Sequence, residues 1–257
     1  MSELFSIQLQ NRQQQGGDGV WLDLPTTTER VQAALRQIGI SSDNPQGLFI
    51  SGYFAEEEKR FAIPYNMVLA SNVDELNFLA SRLETLSTGE RAELNAALQA
   101  PQSELFSIGR ITDFPENVDY YVHLPDVHGP AQLGDYYLNR SGMVDMPEEW
   151  KGGIDTAQFG RYVAQQEQGV FTEYGYLVKS GDAWQKVHEG QPVPEEYRVL
   201  SFPAPEVLRD SANIPPPVQP ETEPQKVIPI ILNGKDSAER MKEITDRLET
   251  GIQELFD

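Results

Sequence analysis

Eight of the chain's 18 prolines fall between Pro203 and Pro229, three of them consecutively at Pro215–Pro216–Pro217. Proline fixes φ and has no amide hydrogen to give, so this density favours an extended, semi-rigid connector over helix or sheet. Residues 203–234 therefore read as a linker, and a packed fold is expected within about the first 200 of the 257 residues. Beyond the linker, Met241, Ile244, Leu248, Ile252 and Leu255 recur at spacings of three and four. That periodicity predicts a short amphipathic helix over 235–257. Nothing in the sequence is dedicated to covering its apolar stripe. Either it docks on a partner or the chain is the front end of something longer.

Upstream of the linker the patterns mix strand and helix periods, which predicts an α+β class. Phe5, Ile7 and Leu9 alternate with Ser6, Gln8 and Gln10, as in a half-buried strand. Gly16–Gly17–Asp18–Gly19 forms a turn, and Val20–Leu24 returns as a second strand. Thr26 and Glu29 have the spacing of a capping box before the stripe Val31, Ala34, Leu35 and Ile38, with Gly39 as the stop. Leu48–Phe54 and Arg60–Ile63 read as further strands, giving a first domain over 1–64. Asn72 is placed to cap a helix carrying Leu76, Leu79, Leu83 and Leu86. Ser87 with Glu90 forms another box ahead of Leu94 and Leu98, so a mainly helical domain is expected over 65–125, ending in the apolar-aromatic stretch Tyr120–Leu124.

An acidic α+β domain is expected over 126–202. Pro130 opens a helix through Leu138, Asp155 with Gln158 starts a helix at Ala157, and Gly169–Val178 reads as a strand. Gly181–Asp182 would then turn the chain into a partner strand, Trp184–Val187. The hexapeptide Ser-Glu-Leu-Phe-Ser-Ile occurs at Ser2–Ile7 and again at Ser103–Ile108. Its flanks do not match, which reads as coincidence rather than duplication, and the second copy fits a helix through Leu105, Ile108 and Ile111.

Charge narrows the function. Forty acidic against 20 basic residues leave a formal charge of −20. Such a field repels nucleic acid and anionic membranes and attracts basic protein surfaces. DNA binding needs the opposite sign, because phosphate neutralisation supplies most non-specific affinity. Direct nucleic-acid binding by 1–202 is therefore not expected. With no cysteine, disulfides, thiolate metal sites and cysteine nucleophiles are excluded. No apolar run approaches the roughly 20 residues of a membrane span, and a reducing cytoplasm fits the composition.

Chemistry-bearing motifs are sparse. His123 and His128, with Asp126 between them, lie among turn-forming residues and read as polar loop histidines, since zinc sites gather tighter ligand sets. The glycine clusters Gly16–Gly19 and Gly152–Gly153 lack both phosphate-loop and dinucleotide spacing. The acidic neighbours at Glu56–Glu58, Glu148–Glu149 and Glu195–Glu196 are solvated faces rather than shared-pocket acid–base pairs. No nucleophile, base and oxyanion set can be assembled, so no enzyme, cofactor or metal is expected. What stands out is a bias over 101–175, where twelve acidic residues face four basic ones, 4 − 12 = −8. Duplex DNA carries about one charge per 1.7 Å. Carboxylates displayed along a narrow body could fill a basic DNA-binding groove. Charge alone leaves this and ordinary acidic solubility both open.

A run of motifs decides further. Leu133–Gly134–Asp135–Tyr136–Tyr137, Met146–Pro147–Glu148–Glu149–Trp150, Phe159–Gly160–Arg161–Tyr162 and Gly169–Val170–Phe171–Thr172–Glu173–Tyr174–Gly175–Tyr176 follow in an order that resembles the carboxy-terminal third of ArdA antirestriction proteins. Val20–Trp21–Leu22–Asp23–Leu24–Pro25 and Asp74–Glu75–Leu76–Asn77–Phe78–Leu79–Ala80 are similar to that family's opening and to its central helical start. The resemblance covers about 1–178. It implies three small domains strung into an elongated, curved rod, a homodimer, and carboxylates that imitate DNA phosphates. The implied partner is a type I restriction–modification enzyme, bound where DNA lies against its specificity and methylase subunits. The implied phosphate mimics are Glu116, Asp119, Asp126, Asp135, Asp145, Glu148, Glu149, Asp155, Glu167 and Glu173. Trp150–Lys151–Gly152–Gly153–Ile154 departs from the family's aromatic and acidic stretch. Residues 184–257 exceed its usual length, and Met241–Ile252 is similar to the opening of ArdC-type single-strand-DNA-binding domains. The competing reading is an acidic docking or scaffold module of a conjugative-element DNA-processing protein.

Overall fold

The computed structural model describes residues 3–14, 17–41, 45–56, 60–101 and 103–200. The linker at 203–234 and the terminal helix at 235–257 lie outside the described residues. Contacts divide the chain into two compact units. Unit 1 comprises Met1–Val118 and takes up the chain again at Gln185, whereas Asp119–Trp184 belongs to unit 2.

Unit 1 starts from β1 (Phe5–Asn11), whose strict alternation of buried and half-buried residues follows from the period of two. It lies at the centre of a three-stranded antiparallel sheet between β2 (Val20–Leu24) and β3 (Leu48–Phe54). Phe5 faces Leu24 and Leu9 faces Val20, while the register against β3 slips between Gln8 and Leu9. Helix α1 (Thr28–Gln37) buries Val31, Ala34 and Leu35. Its cap is Thr27, one residue later than the expected Thr26. Thr26 is instead buried and gives its amide to Asn77 Oδ1 at 2.7 Å. The helix stops as expected at Gly39, which takes φ +68°. Gly39 N–H bonds Arg36 O and Ile40 N–H bonds Leu35 O, so two end carbonyls are satisfied while Ile40 and Leu35 are both buried.

Residues 60–63 form no strand. Phe61 and Ile63 are buried, but the backbone between them pairs with a side chain. Asn95 Oδ1 accepts from Ala62 N–H at 2.8 Å and Asn95 Nδ2 donates to Arg60 O at 3.1 Å. One amide thus replaces the ladder partner that the apolar spacing suggested. Asn95 stands on α4 (Thr88–Gln99), capped by the Ser87–Glu90 box. Before it come α2 (Tyr65–Leu69) and α3 (Val73–Leu83), the latter capped by Asn72 with Glu75. Both boxes were legible as spacing. The second hexapeptide copy leads through a loop into α5 (Ile108–Thr112), capped by Ser107, whereas Phe5–Ile7 of the first copy lies in β1. The identical stretch Phe-Ser-Ile thus lies in a strand at Phe5–Ile7 and at a helix start at Phe106–Ile108.

Unit 2 holds β4 (Tyr121–Leu124), α6 (Pro130–Asp135) continued by a π turn over Tyr136–Arg140, α7 (Glu148–Lys151), α8 (Thr156–Glu167), β5 (Val170–Thr172) and β6 (Gly175–Lys179). The expected single strand over Gly169–Val178 is a hairpin. Its turn at Glu173–Tyr174 is closed by Thr172, whose hydroxyl donates to Gly175 O at 2.8 Å and accepts from Tyr174 N–H at 3.1 Å. β6 lies between β4 and β5 in an antiparallel sheet. Trp184–Val187 is not a strand either, because Gln185 and Val187 are hydrogen-bonded to side chains of unit 1. Helices and two small sheets make the described residues α+β, as expected. None of their helices is long and apolar enough to cross a membrane.

Candidate functional site

Nine of the ten predicted carboxylates lie in unit 2, so its scaffold comes first. Helices α6 and α8 cross backbone to backbone at two glycines. A methyl group on Gly134 would stand 1.9 Å from Thr156 O, and one on Gly160 would stand 1.8 Å from Pro130 O. No side chain fits at either position. Leu133, Tyr137 and Val163 from this helix pair close a core with Val127, Tyr176 and Val178. Gly175, at φ +121°, is needed twice over, since a β-carbon there would also lie 2.4 Å from Leu124 O.

Within this core lies one carboxylate, Glu167, which is 4% exposed. The Tyr137 hydroxyl donates to one of its oxygens and the Tyr176 hydroxyl to the other, at 2.8 Å for the latter. Burial pushes the Glu167 carboxyl above its usual range, and the two phenol hydrogen bonds oppose that only in part. Both tyrosines are pushed up as well, by burial first and by the neighbouring carboxylate second. Glu167 is therefore a buried acceptor that ties α8 to the π turn and to β6. It is no part of a surface, and its inclusion among the phosphate mimics is corrected here. The helix spacing carried the signal: Gly160, Val163 and Glu167 fall on the one buried stripe of α8.

The other nine divide by environment. Asp119, Asp126, Asp145, Glu148, Glu149, Asp155 and Glu173 are exposed. Glu116, in unit 1, is half-buried and ion-paired with Arg82 of α3. Asp135 is half-buried, accepts from Asn139 at 2.9 Å and pairs with Arg140 at 2.6 Å. Those two partners hold its carboxyl below the ordinary range, Asn139 first. Lys151 reaches Glu148 at 2.7 Å, which offsets one charge while the Glu148 side chain stays 82% exposed. Asp155 caps α8 through Ala157 N–H and Gln158 N–H, at 2.9 and 3.0 Å.

The structure thus brings Asp145, Glu148, Glu149 and Asp155 onto one exposed segment between the π turn and α8, with Trp150 among them at 68% exposure. That open tryptophan was missed, since a tryptophan in sequence reads as core. Over Asp119–Trp184 ten acidic residues face four basic ones, 4 − 10 = −6. His123, half-buried, places Nε2 2.7 Å from Tyr174 O and so carries its proton there as a donor to the hairpin turn. Burial lowers its pKa. The unit's polar groups thus serve hairpin, cap and core, and its exposed carboxylates form no gathered catalytic set with them.

None of the curated proteins matches the chain. A family model described as antirestriction protein (ArdA) matches residues 17–178, more than half of the sequence and all the motif residues of unit 2 from Leu133 to Tyr176. Gly134, Gly160, Gly175 and Tyr176, on which the sequence resemblance rested, are the residues that build the scaffold just described. The chain belongs to the ArdA family of antirestriction proteins, which is not a known family of enzymes.

Proposed function

We propose that this antirestriction protein acts as a DNA mimic, occupying the DNA-binding groove of a type I restriction–modification enzyme through spaced surface carboxylates. The observation that carries the reading is the exposure of Asp119, Asp126, Asp145, Glu148, Glu149, Asp155 and Glu173 on the stretch Asp119–Trp184, whose net charge is −6 (4 − 10). The Lys and Arg side chains of a groove that neutralise phosphates can pair with exposed carboxylates by the same charge attraction. Glu167 is left out of the set, and Glu116 and Asp135 contribute less because each carries an arginine partner. The reading includes the three-domain rod (1–64, 65–125 and 126–202), the homodimer, the cytoplasmic setting and contact with the specificity and methylase subunits.

Inhibition of cleavage and methylation by a purified type I enzyme, measured against increasing DNA, tests it. Competitive inhibition is expected. Charge reversal at Asp119, Asp126, Asp145, Glu148, Glu149 and Glu173, introduced cumulatively, should weaken it in graded steps. No single change should abolish it. Undiminished inhibition by the six-fold variant overturns the carboxylate surface.

A further inference from the structure

The segment Gln185–Leu200 runs along α3 and α5 of unit 1 outside the family-matched region, held by side chains that grip its main chain. Asn117 brackets its start, accepting from Gln185 N–H at 2.7 Å and donating to Gln185 O at 2.9 Å. Asp113, 0% exposed, accepts three successive amides, Val187, His188 and Glu189, at 3.3, 2.6 and 3.2 Å. Three consecutive N–H groups around one carboxylate form a nest for an anion. Arg110 pairs with Glu189 at 3.0 Å. Further along, Asn77 donates to Tyr197 O at 3.0 Å, and Asp74 accepts from Val199 and Leu200 N–H at 2.7 and 2.8 Å. Phe78 lies against both His188 and Tyr197, with ring centroids 5.0 and 4.7 Å away.

Between the grips the contact is loose. Gly190, Gln191, Pro192, Glu195 and Glu196 are exposed, and a cleft of about 470 Å³ bordered by Phe78, Ile108, Thr112, His188 and Pro192 lies beside them. A segment clamped at both ends through its backbone and open in the middle is bound as a peptide is bound. Val199 alone of the segment is buried, where core packing would have buried most of its side chains.

We propose that residues 185–200 are an intramolecular docking peptide, and that the α3/α5 face of unit 1 is a peptide-recognition surface that anchors the chain beyond residue 200. Because most of the recognised groups are main-chain N–H and C=O, the surface tolerates changes in the peptide's outward side chains and depends on Asp113 and Asp74. This rests on unit 1 alone and stands whether or not the carboxylates of unit 2 mimic DNA.

The test uses the full chain with a protease recognition site placed in the exposed turn at Gly181–Asp182. After the folded protein is cut, the C-terminal fragment is expected to co-elute with the rest on size exclusion. Alanine at Asp113 and Asp74 together should release it, whereas alanine at Gln191, Glu195 and Glu196 together should not. The contact of Trp184 with Tyr120 is common to all three proteins and cancels. Release from the unsubstituted chain, retention by the clamp variant or release by the outward-face variant would each overturn the proposal. Should the clamp variant fail to fold, hydrogen exchange on the uncut protein decides. Amides 187–189 and 199–200 should exchange at least about 100-fold slower than free peptide, and unprotected exchange there refutes docking.

Discussion

Replacing Glu167 with alanine separates a structural carboxylate from a surface one. The substitution leaves the Tyr137 and Tyr176 hydroxyls inside the unit 2 core without their acceptor. Each stranded buried donor costs about 1–3 kcal/mol, and the vacated side-chain volume adds roughly 1 kcal/mol. A total of about 3 kcal/mol is a modest sum of these. Unit 2 is small, and for a domain of its size each kcal/mol moves the melting temperature by about 4–8 °C. The transition of unit 2 should therefore fall by roughly 12–24 °C, read from near-ultraviolet circular dichroism of its tyrosines. Glu167→Gln should lose far less, since its amide oxygen still accepts from one phenol and its NH₂ donates to the other.

Titration adds an independent reading. The folded pKa of Glu167 lies above the ordinary carboxylate value of 4.5. The folded state therefore binds the proton more tightly than the unfolded one, and its stabilising effect is complete below the unfolded value. That contribution is lost as pH rises from about 4.5 through the raised value. Against Glu167→Gln, which does not titrate, the wild type should lose stability across that window. A Glu167→Ala protein that melts within about 2 °C of wild type but inhibits less well would refute the buried assignment and return Glu167 to the surface set.

Other perturbations follow from the same geometry. Gly160→Ala must part α6 from α8, because its methyl would sit 1.8 Å from Pro130 O. A loss of about 2–3 kcal/mol in urea unfolding is expected, and a change below 0.5 kcal/mol would contradict the crossing. Asn95→Ala removes the stand-in ladder of residues 60–62 and should cost about 2 kcal/mol while raising amide exchange at Ala62; unchanged exchange would contradict that pairing. Ser87→Ala opens a capping box and should cost about 1 kcal/mol, measured by thermal unfolding of the whole protein; no loss would mean that the cap is idle. Inhibition of a type I enzyme should weaken steadily as salt rises, and a salt-independent inhibition constant would argue against electrostatic occupation of its groove.

Elements set by neighbours a few residues away were readable before any coordinates. The alternation of Phe5, Ile7 and Leu9 located β1, and Asn72–Glu75 and Ser87–Glu90 located two helix starts. The misreadings share one cause, a partner far along the chain. Arg60–Ile63 has the apolar spacing of a strand, but its partner is a side chain 33 residues beyond Ala62. Trp184–Val187 reads as a strand because nothing local reveals Asp113, 74 residues before Val187. The hairpin inside Gly169–Val178 was hidden because Glu173–Tyr174 is not a turn-forming pair in composition. Its turn is closed by the Thr172 hydroxyl and by the freedom of Gly175. At the candidate site, exposure followed charge for seven of the ten carboxylates. Glu167 broke the rule through its place on a buried helix stripe.

The scaffold of unit 2 and the proposed phosphate mimics occupy mostly different residues. Gly134 and Gly160 allow the helix crossing, Gly175 turns the hairpin, and Tyr137 and Tyr176 satisfy Glu167. Each answers to the packing of unit 2, and none presents charge. The proposed phosphate mimics mostly occupy what that scaffold leaves open, above all the segment from Asp145 to Asp155. Asp155 alone belongs to both sets, since it caps α8 while remaining exposed. The scaffold therefore fixes where the segment begins and ends, and leaves the charges between those points free to change without unfolding the unit. Residues Trp150–Ile154 fall in that free interval. There Lys151 offsets Glu148, and Trp150 stands in solvent where a core tryptophan would be buried. The glycines and tyrosines of the motifs accordingly report the frame, while the strength of inhibition should follow the net exposed charge that the frame carries.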